Sequence, residues 1–193
     1  MKKKIILYGS GGHSNSVIDV INSTKKFQIE LILDDNPTKK FISKIGVKKS
    51  SVFINQNKIK KNVHISFASI YNLKTRLKTY KKLKAEKIYK FPNIISPNSY
   101  ISKNSNFSEG IIVMHGVIIN TNAQVGENVV INTGCIIEHD VKIGENSHIS
   151  TRVTLNGGVI IGKNCFVGSG SVLRENVRIP DDTFIKMGSI IKK

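Results

Sequence analysis

From Ile95 to Ile191 an apolar residue falls on every sixth position, seventeen times in seventeen. With 39% of the chain apolar, chance gives such a run about once in 10⁷ trials of a preset register, so the period is real. Four residues after each hit comes a small or β-branched residue, from Ser99, Ser105 and Ile111 through Cys135, Val141 and Ser147 to Thr183 and Ser189. A period of six fits neither a helix nor a single flat strand. It suits short strands separated by corners, three to a coil of eighteen residues, with the first residue of each hexad filling the interior and the fifth fitting beside the bend. The pattern predicts a parallel β-helix of about five coils, roughly 25 Å long at ~4.8 Å per coil.

Residues 1–92 lack this ruler. Ile5–Tyr8 reads as a short apolar strand, Gly9-Ser10-Gly11-Gly12-His13 as a glycine turn, and Val17, Ile18, Val20 and Ile21 as one face of a helix running to about Ser23. Ile29–Leu33 reads as a second strand closed by Asp34-Asp35-Asn36-Pro37, and 63–67 as a third; Leu73, Leu77 and Leu83 mark a Lys-rich helix to about Glu86. Strand, glycine turn, helix and strand in that order make half of a Rossmann-like nucleotide-binding α/β fold, with acids at the end of strand two. The turn departs from G-x-G-x-x-G, so a dinucleotide fingerprint is absent. It still suits a backbone nest facing phosphates at a helix N-terminus, with Asp34 and Asp35 accepting hydrogen bonds from a sugar or base. The expected division is an α/β domain over 1–92 and an all-β coil over 93–193.

The net charge of +17 raises nucleic acid as a partner. Only four basic residues are Arg (Arg76, Arg152, Arg174, Arg178), and the lysines fall in many short runs. No basic helix interleaved with aromatics, zinc spacing or helix-turn-helix signal accompanies them, so nucleic-acid binding is not expected. Positive potential would instead draw in phosphate-bearing small molecules. There is no apolar run of eighteen, so no membrane span, and the opening segment is too short for a signal peptide; the expected location is cytoplasmic. Cys135 and Cys165 both take the small fifth place of their hexads, which points to packing rather than to a disulfide or metal.

With eighteen residues per coil, Gly157 lies directly beyond His139, and Thr121 before it. His139 takes the third position of its hexad, near a corner and facing outward, with Asp140 following at once. That grouping offers a general base, an acid to orient it and raise its basicity, and a close N–H donor for a developing oxyanion. His148, nine residues on, should face away from His139 of its own chain. If both serve one site, they come from neighbouring subunits. His115, over Thr133 and Thr151, reads as ordinary surface, and His64 as structural.

Ile137-Glu138-His139-Asp140 followed by Ile143-Gly144-Glu145-Asn146-Ser147-His148-Ile149, together with Tyr8-Gly9-Ser10-Gly11-Gly12-His13 and Leu33-Asp34-Asp35, resembles the NeuD/PglD-type family of bacterial sugar acetyltransferases. The resemblance covers nearly the whole chain. It implies a left-handed β-helix, a homotrimer, acetyl-CoA as co-substrate between subunits without a metal, and an N-terminal domain that binds a nucleotide-linked amino sugar in bacterial glycan or O-antigen biosynthesis. On that mapping His139 is the catalytic base, Asp140 its acidic partner (elsewhere often Glu), and Gly157 the thioester-carbonyl donor. His148, Ser169 and Met187 are acetyl-CoA contacts. Gly11, Gly12, His13, Asp34, Asp35 and Tyr71 match sugar-nucleotide contacts, with Asn132 facing the acceptor amine. The chain departs from the family where a late glycine run reads Lys186-Met187-Gly188, where Tyr71 replaces a glycine beside Asn72, with Arg76 retained, and in lacking the usual Pro-Ala-Arg/Lys ending. The expected reaction is transfer of acetyl to the sugar amine; alternatives are O-acetylation of a sugar of the sialic acid type and a non-catalytic sugar-nucleotide-binding scaffold.

Overall fold

The structure is a computed structural model that describes residues 1–52, 60–68 and 72–193. In the N-terminal part β1 (Lys3–Tyr8), α1 (Gly12–Thr24), β2 (Phe27–Asp34), β3 (Phe41–Ile42), β4 (Ile45–Lys49), β5 (Lys61–Ile65), α2 (Leu73–Ala85) and β6 (Tyr89–Lys90) follow in order. The sheet runs β3-β4-β2-β1-β5-β6 and is parallel except for the β3–β4 hairpin. Strand β1 sits at its centre with Ile5, Ile6, Leu7 and Tyr8 all buried, the continuous apolar run that a parallel strand covered on both faces requires. The third strand begins two residues earlier than its apolar pattern predicts. Ser66 and Phe67 have already left it to fold over the glycine turn, where Ser66 N–H donates to Tyr8 O at 2.8 Å.

Seventeen two-residue strands follow, from β7 (Ile94–Ile95) to β23 (Ile190–Ile191). They stack eighteen residues apart, Ile112 beside Val130 and Ile118 beside Ile136, into three parallel sheets of six, six and five strands. The first and fifth hexad positions fill one continuous interior in which Val117, Ile119, Cys135, Ile137, Val153 and Leu155 are each fully buried. The fourth position makes the corner in a left-handed backbone conformation. It is therefore Gly, Asn or Asp almost throughout, as in Asn122, Asp140, Gly158 and Asn176, with Arg152 the exception.

The outward column of each sheet has its own character. On the first, Ile94, Ile112 and Val130 are buried against Val17, Ile18 and Ile21 of α1, and the column continues as His148, Phe166 and Phe184. On the second, Tyr100, Ile118, Val172 and Ile190 are exposed. The third carries Asn106, Gln124, Lys142 and Arg178, all exposed. The two parts are locked together by polar contacts. The Tyr80 hydroxyl lies 3.0 Å from Glu127 and 3.2 Å from Glu109, and Lys84 Nζ bridges both carboxylates at 2.7 and 2.8 Å. Asn146, buried at a corner, donates from Nδ2 to Leu73 O at the start of α2.

Candidate active site

His139, Asp140 and Gly157 line one surface cleft of about 520 Å³, shared with Glu138, Asn156, Gly158, Glu175 and Asn176. The corner backbone explains their grouping. Asp140 occupies the left-handed position (φ +61°), a conformation that Asp and Asn tolerate better than longer side chains. From there its Oδ2 lies 2.8 Å from His139 Nδ1, while Oδ1 accepts from Asn122 Nδ2 of the preceding coil at 3.1 Å. Those two hydrogen bonds, that of His139 first, hold the Asp140 carboxyl below the usual carboxylate range. A carboxylate at Nδ1 makes that nitrogen the protonated one, so the lone pair sits on Nε2.

Nε2 faces Gly157. A Cβ at residue 157 would come within 2.6 Å of both Nε2 and Cε1 of His139, so only glycine lets that edge of the ring come so close to the next coil. The ladder bond between these coils is made by Gly158 N–H to His139 O at 2.9 Å. The ring is 60% exposed, which leaves its base nitrogen accessible.

The other expected contacts lie elsewhere. Ser169 and Met187 stand at the corner that follows the first sheet. There Ser169 Oγ is 2.8 Å from Ser150 Oγ, Gly188 N–H donates to Ser169 O at 2.9 Å, and Met187 is exposed. Asn132, at the same corner two coils earlier, accepts from Thr133 N–H on its own Oδ1. His139 and Gly157 stand at the corner after the second sheet. The two corners thus flank the exposed apolar column, and within one chain they do not meet.

His148 is 2% exposed on the first sheet's outer column. Its ring centroid is 5.3 Å from that of Phe166 and 6.3 Å from that of His13, so a residue of the coil and one of the glycine turn come together within one chain. Burial, reinforced by Arg76, drives His13 down to about 4; burial, His13 and Arg76 drive His148 down to about 3. Both rings are therefore neutral at physiological pH. Nε2 of His13 and both ring nitrogens of His148 are buried without a hydrogen-bond partner.

The glycine turn is braced from below. Gly9 (φ +114°) has no room for a Cβ, which would lie 2.7 Å from Phe67 Cδ1, and its carbonyl accepts from the Ser14 and Ser66 hydroxyls. Gly11 caps α1 without a side-chain bond, and a Cβ at Gly11 or Gly12 would meet open space. Asp34 accepts from Ser10 N–H at 2.7 Å and Ser10 Oγ at 2.6 Å; Asp35 accepts from the Tyr8 hydroxyl at 2.5 Å and from Ser50. The two acids thus hold the turn and the strand ends, a role that the sequence pattern alone does not distinguish from ligand binding. Tyr71 lies outside the described residues.

Sequence reasoning undervalued two residues. His115 is not ordinary surface: its Nδ1 is 2.6 Å from Ser96 Oγ and its Nε2 3.0 Å from Asp19 of α1, tying the coil to the N-terminal part. Arg76 is wholly buried, donating from Nη1 to Ile65 O and Phe67 O while Nε and Nη2 lack partners. Burial pulls it down to about 9. An Arg among the lysines of α2, three residues after Leu73 and four before Tyr80 on the helix's buried face, was the available signal.

Comparison with known proteins adds the family. The PglD N-terminal domain matches residues 4–83 and the bacterial transferase hexapeptide (six repeats) matches 122–157. Comparison with the curated proteins gives no match. Among solved structures, a perosamine N-acetyltransferase from Caulobacter crescentus, in complex with CoA and GDP-perosamine, superposes with TM-score 0.89 at 25% identity over 98% of this chain and 89% of that one. The acetyltransferase domain of PglB from Neisseria gonorrhoeae, in complex with acetyl coenzyme A, gives 0.89 at 21% identity over 99% and 93%. WeeI from Acinetobacter baumannii gives 0.74 at 18% over 100% and 92%. The two domain matches fall in the order of the two folds: residues 4–83 carry a PglD N-terminal domain and residues 122–157 the hexapeptide repeats of bacterial transferases, the pairing expected of NeuD/PglD-type sugar acetyltransferases.

Proposed function

We infer that the protein transfers acetyl from acetyl-CoA to the amino group of a nucleotide-linked amino-deoxy sugar. The observation that carries this reading is the His139 corner, where an exposed imidazole is oriented by Asp140 and laid on Gly157. His139 Nε2 takes the proton as the amine attacks the thioester carbon, and Asp140 stabilises the imidazolium that forms. The Gly157 N–H donates to the tetrahedral oxyanion, and CoA leaves as the thiolate, which takes up a proton. No covalent intermediate on the protein is required. Cys135 and Cys165 are buried with thiols raised by burial, Cys135 to about 12, far from the thiolate that a nucleophile needs.

The active unit is a homotrimer in this reading. An apolar column as exposed as Tyr100, Ile118, Val172 and Ile190 asks for a covering surface, and a cyclic assembly joins one side of a protomer to the opposite side of the next. That closure brings the His139 corner of one protomer towards the Ser169 and Met187 corner and the His148 ring of its neighbour. Acetyl-CoA then lies along the seam, and the sugar nucleotide reaches it from the glycine turn, where Gly11, Gly12 and His13 offer backbone and ring contacts. His13 and His148, neutral and unpartnered, supply hydrogen bonds to polar groups of the two substrates. Such an enzyme serves bacterial glycan biosynthesis in the cytoplasm.

The test is incubation of the protein with acetyl-CoA and a nucleotide-linked 4-amino sugar, followed by product mass and thiol release. One acetyl group gained on the amine is the expected result, with kcat falling about 10²–10⁴-fold in His139→Asn and sugar-nucleotide binding retained. Near-normal turnover in that variant would remove His139 from the chemistry. Acetyl gained on a hydroxyl would replace the amine as acceptor.

A further inference from the structure

The charge of the chain is divided very unevenly. Through residue 92 there are 21 Lys and Arg against five Asp and Glu; beyond it there are nine against eight. Nearly all of the net +17 therefore belongs to the N-terminal part, and much of it gathers along the edge formed by the N-terminal ends of β2, β1 and β5. Lys2, Lys3 and Lys4 lead into β1, and Lys25 and Lys26 turn from α1 into β2, where Lys3 N–H donates to Lys26 O at 3.0 Å. Lys60 and Lys61 lead into β5, where Asn62 Nδ2 donates to Lys4 O at 2.8 Å. Two shallow depressions of about 510 and 550 Å³ join these residues into a continuous surface. The acid on that surface is Glu30, 3.8 Å from Lys4 Nζ.

This edge is remote from the glycine turn. The six residues of β1 run from Lys3 to Tyr8 and deliver the glycine turn at the far end, roughly 20 Å away at ~3.3 Å per residue. That is more than two Debye lengths at physiological salt, about 8 Å each, so these charges act little on a phosphate at the turn. Nor is the edge built to hold one small anion. Its cations are all Lys on flexible stems, with no Arg fork for bidentate contact. Among the described residues the neighbouring aromatics, Phe27 and Tyr89, are buried, so they offer no platform for stacking nucleic-acid bases. What remains is a broad array of hydrated point charges across β2, β1 and β5, a match for a planar surface of many spread negative charges.

We propose that this lysine edge docks the protein on the anionic surface of a lipid bilayer, with the glycine turn at the opposite end of the sheet left open to substrate. Sedimentation of the full chain with phosphatidylcholine vesicles, with and without phosphatidylglycerol, tests this at physiological ionic strength. Binding is expected only to the anionic vesicles and to weaken as salt is raised. Each lysine near such a surface contributes about fivefold to partitioning, so the triple variant Lys2→Gln, Lys26→Gln, Lys60→Gln should partition about 10²-fold less. Its acetyl-transfer kcat and circular dichroism should match the parent protein. A matched triple on the coil, Lys103→Gln, Lys142→Gln, Arg178→Gln, should keep vesicle binding. Equal partition into neutral vesicles, retention by the first triple, or equal loss in the second would overturn the proposal. So would tighter binding to a single-stranded oligonucleotide than to the anionic vesicles, lost in the first triple, since it would assign the face to nucleic acid.

Discussion

Replacing Gly157 by alanine isolates the ring geometry from every other part of the proposed chemistry. The backbone N–H at 157 survives, and Gly157 is not among the positive-φ glycines, so an L-residue fits its backbone without strain. The added Cβ, however, would stand 2.6 Å from His139 Nε2 and Cε1, where ordinary contact begins near 3.4 Å. The ring must recoil by roughly 0.8 Å, turning on its own torsions and drawing Nδ1 away from Asp140. A displacement near 1 Å at a reacting group costs about 10²-fold in rate, or about 2.7 kcal/mol of barrier. Stability should move the other way. The site is a surface cleft, and Gly→Ala at a compatible backbone position stabilises by about 0.4–1 kcal/mol through the unfolded state. The paired measurements are kcat for thiol release from acetyl-CoA with saturating sugar nucleotide, and the urea midpoint. A lower kcat with an unchanged or higher midpoint is expected. A kcat within about twofold of the parent would show that the approach of ring to coil is incidental to turnover, and the base assignment would lose its geometric support.

Two further outcomes follow from burial. His13 and His148 stay neutral in the folded protein down to about 4 and about 3, whereas in the unfolded chain they titrate near 6.5. Between those limits the unfolded state binds more protons, so stability falls as pH drops below about 6.5, by up to about 1.4 kcal/mol per pH unit for each ring. Urea midpoints at pH 7, 6 and 5 should decline, with a shallower slope in His148→Phe; a flat profile in the parent protein would contradict the buried placement. On the apolar column, Ile118→Glu with Val172→Glu should dissociate the proposed trimer without unfolding the coil, because both side chains point outward at 40% and 39% exposure. Light scattering should then report a monomer and acetyl transfer should fall steeply, while a fully active monomer would show that each chain carries a complete site.

The coil was legible because its geometry is periodic. One residue in six must fill a closed interior, and Ile95, Ile101 and their successors state that directly. The corner column went unread, although the fourth position of every hexad is Gly, Asn or Asp almost throughout because it must accept a left-handed backbone. That requirement rationalises an Asp at 140: the corner favours a short polar side chain. The spacing of eighteen also placed Gly157 against His139. Other features depend on how the two parts dock, which no local period encodes. Asn146 reaches Leu73 and Tyr80 reaches Glu127 across 73 and 47 residues. The β3–β4 hairpin escaped notice because its strands, two and five residues long, are too short to show a period. Asp34 and Asp35 read as free acceptors, yet Ser10, Tyr8 and Ser50 engage them. The burial of His148 did have a sequence signal. The run Ile94, Ile112, Val130 at intervals of eighteen marks a covered face, and His148 is its next member.

The histidines show how placement divides labour within one residue type. His64 is buried without partners, and burial with Arg76 and His13 beside it depresses its basicity strongly. His13 and His148 share that seam and that consequence: a proton added to either would have to coexist with a buried guanidinium that no carboxylate neutralises in its hydrogen bonding. These rings can offer or accept a hydrogen bond, but the environment opposes their becoming cations. His115 is committed between Ser96 and Asp19. His139 differs on each count, being exposed, backed by a carboxylate held in its charged form, and set on a backbone without a side chain. Taking a proton from an attacking amine requires a ring that can become a cation at low cost. Of the five histidines, His139 alone combines an exposed ring, a carboxylate partner and a bare backbone beside the ring, which is why the proposed chemistry is placed at the corner and the proposed recognition at the seam.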